Sequence, residues 1–135
     1  MKRFWIAVLA VAGVFGVLEM ILHGVILEDL YLETASLWRS EEEVQDMIWL
    51  MGLGYLVFSF VFVVIFKKGY ERNRSGVGQG FRFGFWAGLL VVGMVSMMGY
   101  VVMPIPWELA TGWFFGGLGE CMVAGMLAGK IYKPE

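Results

Sequence analysis

Cysteine, histidine and proline are nearly missing from this chain, and charge is scarce. A single cysteine, Cys121, rules out an intrachain disulfide and any Cys-x-x-Cys metal or redox pair. The only histidine, His23, excludes a multi-histidine metal centre built by one chain. Charged residues make up 16% of the 135 positions, against about 25% in soluble domains. No zinc-hydrolase or nucleophile-elbow motif occurs. The one glycine-rich loop, SGVGQG (Ser75–Gly80), has neither a preceding strand nor the lysine a P-loop needs. Disulfide scaffolds, zinc hydrolases and P-loop nucleotide binding are therefore out, and nucleic acid is not an expected partner. The net charge of −2 decides little, because the charges are sorted along the chain rather than mixed.

What the chain has in abundance is apolar length. Hydrophobic residues make up 59% and the mean hydropathy is +0.73. The stretch Phe4–Leu27 is interrupted only by Glu19 and His23, and about 20 apolar residues suffice to cross a bilayer as a helix. Lys2-Arg3 and Ala10-Val11-Ala12 imitate a signal peptide and its cleavage site, but the apolar run continues well past Ala12, so a retained span is expected. Three further runs predict spans at about 41–66, 81–103 and 107–132. The fold expected is thus an all-α bundle of four transmembrane helices in one domain, 1–135. Ser40 followed by Glu43 is a capping-box pattern that starts the second helix at Glu41. Pro104 and Pro106 stop the third.

The loops carry the charge. In and around the 28–40 loop, seven acids (Glu28, Asp29, Glu33, Glu41, Glu42, Glu43, Asp46) oppose one base, Arg39. The other nine of the ten bases flank the N-terminus, the 67–80 loop and the C-terminus. Basic loops stay in the cytoplasm, which predicts both termini and the 67–80 loop inside and the acidic loop outside, in a bacterial inner membrane. Lys67, Lys68, Arg72 and Arg74 are then candidates to meet anionic lipid headgroups. A weak echo pairs Gly52-Leu53-Gly54-Tyr55 with Gly117-Leu118-Gly119-Glu120, as in a 2+2 repeat of parallel helical hairpins.

Small residues recur at helix spacing. Gly80, Gly84 and Gly88 fall four apart in the third span, with Ser96 and Tyr100 continuing the series. Gly112, Gly116, Glu120 and Ala124 do so in the fourth, and Gly125 and Gly129 form a further pair. Such stripes let helix backbones approach closely in lipid. On the first helix, Ala12 and Gly16 lie on the face of Glu19 and His23, which invites contact with the fourth. At about 1.5 Å per residue, Glu120 falls near mid-membrane and Glu19 about 5 Å outward.

Intramembrane ionisable residues mark pathways or structural pairs. Glu19, His23 and Glu120, with Ser96 and Tyr100, are the candidate polar core, ligand site or proton site, and also the only candidate metal ligands. No cofactor is required. Ten methionines, among them Met94, Met97, Met98, Met122 and Met126, raise copper, and His23 raises haem, but scattered methionine is ordinary core filler. Buried Cys121 is expected to be inert. The leading expectation is a non-enzymatic accessory or interaction protein with a buried Glu/His core, in a homo-oligomer or larger membrane complex. The alternative is a proton-coupled carrier of a small molecule or cation, or a metal or haem binder, using Glu19, His23 and Glu120. That alternative demands a cavity reaching both carboxylates.

The phrases HGVIL (23–27), ASLWR (35–39), KGYE (68–71), GQGFRFG (78–84), YVVMPIP (100–106) and WFFGGLGE (113–120) resemble a family of small, uncharacterised bacterial four-helix integral membrane proteins. The resemblance implies four spans and carries no activity across. In length and in its helix-1 carboxylate the chain is also similar to the small multidrug resistance exporters. It departs from them in the helix-1 Trp and Glu spacing, in its longer first loop and in its second mid-membrane acid.

Overall fold

The computed structural model describes residues 1–133, and all of its regular elements are helices. They run α1 Lys2–Ile21, α2 Glu28–Glu33, α3 Glu41–Asp46, α4 Ile48–Lys68, α5 Gly76–Val102 and α6 Trp107–Ile131. A wide turn at Leu22–Ile26 extends α1, so that the stretch Lys2–Ile26 joins α4, α5 and α6 as four helices long and apolar enough to cross a membrane. Their large apolar side chains point mostly outward, as in Leu90 and Val101 at 79% and 78% exposure. A soluble protein would not leave such faces uncovered; a bilayer covers them.

Three boundaries differ from the sequence expectation, each for a physical reason. The first span does not stay α-helical to Leu27. At its end the Leu27 N–H bonds the Leu22 carbonyl at 2.9 Å, a five-residue step. Residues five apart would stand about 140° apart on an α-helix. The wide turn brings Leu22 and Leu27 to the same side, where both seat on glycines of α6. A Cβ on Gly112 would lie 2.6 Å from Leu27 Cδ2, and one on Gly116 would strike Leu22.

The second span starts at Glu41 behind the expected capping box, with Ser40 Oγ accepting from Glu43 N–H at 3.3 Å. It then breaks at Met47 (φ −104°, ψ 4°) before α4 begins. The third span begins five residues early. SGVGQG is no flexible turn: Ser75 caps α5 by accepting from Gly78 N–H at 3.3 Å, and the glycines are already helical. The basic loop shrinks accordingly to 69–75.

Packing follows the small residues. α5 and α6 are the closest pair. Cβ atoms on Gly76, Gly80 and Gly84 would strike the carbonyl oxygens of Gly129, Gly125 and Cys121. One on Gly88 would lie 2.9 Å from Leu118 Cδ1 and 3.0 Å from Cys121 Cβ. Helix α1 packs on both α6 and α4. The main core joins Ala7, Val11 and Phe15 of α1 to Phe62 and Val63 of α4 and to Cys121, Ala124 and Ala128 of α6. Gly16 departs from expectation. It faces the Tyr55 ring of α4 at 3.9 Å rather than α6.

Candidate functional site

Glu19 and His23 lie one helical turn apart, so their side chains meet: His23 Nε2 stands 3.1 Å from Glu19 Oε2. Each is about one-third exposed. The other imidazole nitrogen, Nδ1, lies 2.5 Å from the Tyr31 hydroxyl. That hydroxyl also receives a hydrogen bond from Trp113 Nε1 at 2.6 Å. Indole N–H can only donate. The Tyr31 hydroxyl and His23 Nδ1 share a hydrogen bond whose direction follows the protonation of the ring, and Nε2 faces the Glu19 carboxylate. Burial pushes the Tyr31 phenol above its ordinary pKa, so it keeps its proton at neutral pH. The result is a continuous hydrogen-bonded chain, Trp113, Tyr31, His23 and Glu19, crossing from α6 through α2 to α1.

Tyr31 reaches this position because the chain folds back after the wide turn. Leu27 and Leu30 join Ile105, Leu109 and Trp113 in a second apolar cluster that anchors α2 against α6. Thr34 supports it by accepting from Trp38 Nε1 at 2.9 Å, while Trp38 packs edge-on against Tyr31 with ring centroids 5.3 Å apart. The 28–40 segment, expected as an acidic outer loop, therefore also forms one wall of the site through Tyr31.

Glu120 lies beside the Glu19 end of this chain, with the two carboxyl groups close enough to interact directly, and lines the same space. A cavity of about 340 Å³ is bounded by Glu19, His23, Tyr31, Ser96, Trp113 and Glu120. Glu120 is 6% exposed, and neither of its carboxyl oxygens has a hydrogen-bond partner; the buried Ser96 hydroxyl has none either. Beyond Glu19 a larger cavity of about 820 Å³ shares Glu19, His23 and Tyr31 as walls and extends past Tyr55 to Glu41 in the acidic segment. Glu19, His23 and Tyr31 thus form the wall shared by two cavities, one reaching Glu41 and the other holding Glu120.

Of the other candidates, Tyr100 does not reach the Glu120 cavity. It is 51% exposed and lies beside Trp107 and Phe114 on the outer flank of α5 and α6. Each four-residue step over-rotates by about 40°, so by Tyr100 the stripe has turned about 120° from Gly88. Gly112, Gly116 and Ala124 face α1 or the core, whereas Gly125 and Gly129 face α5. Both ring nitrogens of His23 are occupied by Tyr31 and Glu19, which leaves no lone pair aimed at a haem. Among the described residues no three His, Cys, Asp or Glu side chains converge as a metal site. Met94, Met97 and Met98 are all more than half exposed on the bundle surface. At the basic end, Arg74 and Arg82 pair with Glu71 at 2.8 and 3.3 Å, Lys67 lies over the Phe4 ring, and Lys68 is exposed beside it. Arg72 belongs to the 69–75 loop.

Sequence reasoning missed Tyr31 and Trp113. A signal existed for Trp113, which precedes Glu120 by seven residues and so shares its helix face. None existed for Tyr31. No family model, curated protein or solved structure matches this chain.

Proposed function

We propose that this chain is a proton-coupled binder or carrier of a small organic cation, with Glu120 as the charge-accepting group and the His23–Glu19 pair as its proton relay. One observation carries the reading: a buried carboxyl whose nearest polar neighbour is a second carboxyl, Glu19, opening into a cavity that also holds His23. An ionised carboxylate left dry and unpartnered costs several kcal/mol. A proton or a bound cation removes that cost, and only one of the two is needed at a time. This exclusivity is the elementary requirement of proton–cation exchange. The cavity volume lies at the small end of ligand sites, and Trp113 and Tyr31 offer ring faces that attract cations.

In this reading the helices are threaded as the charges sort them, basic ends and both termini in the cytoplasm and the acidic segment outside, in a bacterial inner membrane. The cavity reaching Glu41 then faces outward. The likeness to small four-helix membrane proteins, the 2+2 hairpin relation and assembly into an oligomer belong to the same proposal.

The second reading is a purely structural polar core in an accessory subunit. It is favoured by the Trp113–Tyr31–His23–Glu19 chain, which satisfies itself without a ligand. Calorimetric titration of the purified protein with tetraethylammonium, in buffers of differing ionisation enthalpy, separates the two. Binding with release of about one proton, lost in Glu120→Gln, is expected. Absence of binding, or binding unchanged in Glu120→Gln, overturns the carrier reading and leaves the structural one.

A further inference from the structure

The basic end of the bundle holds a second cavity, unrelated to Glu120. It encloses about 700 Å³ between the start of α1, the end of α4 and the residues after α6. Four cationic side chains border it, Arg3, Lys67, Lys68 and Lys133, and all four are exposed. They are far apart in sequence. The up-and-down threading brings them together because α1 starts, α4 ends and α6 ends on the same side. Below this rim the wall is apolar. Trp5 and Phe60 stack with centroids 5.8 Å apart and planes 26° from parallel, and both rings remain substantially exposed at 53% and 42%. Phe60 lies seven residues before Lys67, about 10 Å down the helix. The cavity thus has a charged mouth and a flat hydrophobic floor running into the membrane-spanning part of the helices.

Among the described residues the one acid at this end is Glu71, and Arg74 and Arg82 already engage it. Among the described residues no carboxylate pairs with Arg3, Lys67, Lys68 or Lys133. Lys67 is held in place over the Phe4 ring at 5.7 Å, which positions its charge without cancelling it.

We infer that this groove is a binding site for one anionic glycerophospholipid, its phosphodiester held by Arg3, Lys67, Lys68 and Lys133 and one acyl chain laid along Trp5 and Phe60. Cationic pockets between membrane helices suit such headgroups. The stacked rings distinguish the occupant from a soluble phosphate, because only a lipid covers the apolar floor as it fills the mouth. The site differs from a diffuse attraction of the whole basic surface in that Lys130 and Arg72, at the same end, take no part in the lining.

Native mass spectrometry of the full chain in detergent, titrated with palmitoyl-oleoyl phosphatidylglycerol or the matching phosphatidylcholine, tests the site. One retained phosphatidylglycerol per chain is expected, with phosphatidylcholine binding at least tenfold weaker. Each rim cation contributes about fivefold, so Lys67→Gln with Lys68→Gln weakens binding about 25-fold, and Lys67→Arg with Lys68→Arg restores it. Lys130→Gln with Arg72→Gln removes equal charge from the same end and leaves binding within about twofold. Trp5→Ala weakens the lipid but not glycerol 3-phosphate, which competes only at far higher concentration. Equal loss in the two double glutamine variants, equal binding of both lipids, or competition by glycerol 3-phosphate at the lipid's own concentration overturns the site. All the rim side chains are exposed, so these substitutions leave folding intact, and an unchanged thermal unfolding midpoint verifies it.

Discussion

Replacing Gly125 by alanine tests whether α5 and α6 are held by backbone contact. A Cβ there would lie 2.9 Å from the Gly80 carbonyl carbon and 3.1 Å from Gly84 Cα, with the Gly80 oxygen nearer still. Ordinary contacts of this kind begin near 3.4 Å. The helices must therefore part by at least about half an ångström at their crossing. No flexible side chain can yield, since every one of those atoms is backbone. Overpacking of this kind costs about 1–3 kcal/mol, and the gap would also loosen Gly76, Gly84 and Gly129, which depend on the same spacing.

Gly119, six residues earlier on α6, is the internal control. A Cβ there meets nothing within 4 Å, so alanine adds only helix propensity, up to about 1 kcal/mol of stabilisation. The propensity gain is common to both, so the two variants should differ by the overpacking cost of about 1–3 kcal/mol, a factor of about 5 to 160 in the unfolding equilibrium. Reversible unfolding in mixed dodecylmaltoside–dodecylsulfate micelles, followed by circular dichroism, measures it. Equal stability of Gly125→Ala and Gly119→Ala would refute the argument, for it would mean that the crossing is not in backbone contact.

Other substitutions probe the remaining contacts. Tyr31→Phe strips Trp113 Nε1 and His23 Nδ1 of their shared partner and should cost about 1–3 kcal/mol; because His23 is the only histidine, its imidazole nitrogen resonances report the loss without assignment, and unchanged resonances would contradict the bridge. Gly116→Ala should be milder than Gly125→Ala, since its new Cβ meets only the end of the Leu22 side chain, which can turn aside; the same unfolding assay ranks them. At the start of α3, hydrogen bonds from the Ser40 backbone N–H and hydroxyl hold Glu43 below its ordinary pKa. A folded-state pKa below the unfolded one stabilises above the ordinary carboxylate value and loses that contribution as pH falls through the lowered value. Protection of the Glu43 and Val44 amides from hydrogen exchange, relative to the intrinsic rate at each pH, should thus be high at neutral pH and fall in acid, and Ser40→Ala should lower it at neutral pH with little further acid dependence.

The four long apolar runs, the capping box at Ser40 and the sorting of charge could be read directly, because each depends on residues close in sequence. The errors lie where one residue type has two meanings. Glycine in SGVGQG reads as a turn in water, where it costs helix stability. Against another helix in lipid it is the residue that permits backbone contact, and Gly76 and Gly80 are spent in that way on Gly129 and Gly125. The partner stripe on α6 decides between the meanings, and it lies about fifty residues downstream. The break at Met47 has no glycine or proline to announce it.

The site divides along the same line. Glu19 and His23 could be paired by helix arithmetic, and Glu120 stood out as a carboxyl in a small-residue stripe. A cavity joining them was expected of a carrier, but its Tyr31 wall could not be foreseen, because Tyr31 depends on the wide turn. An uninterrupted α-helix to Leu27 would point Leu22 and Leu27 in directions about 140° apart. It could not seat both on Gly116 and Gly112, and it would send the following segment off along another line. Two glycines on α6 therefore select the turn in α1, the turn aims α2 back over the bundle, and α2 carries the hydroxyl that links Trp113 to His23. A bulky residue at Gly112, such as Leu, should accordingly disturb the His23 resonances as Tyr31→Phe does, although Gly112 touches neither ring.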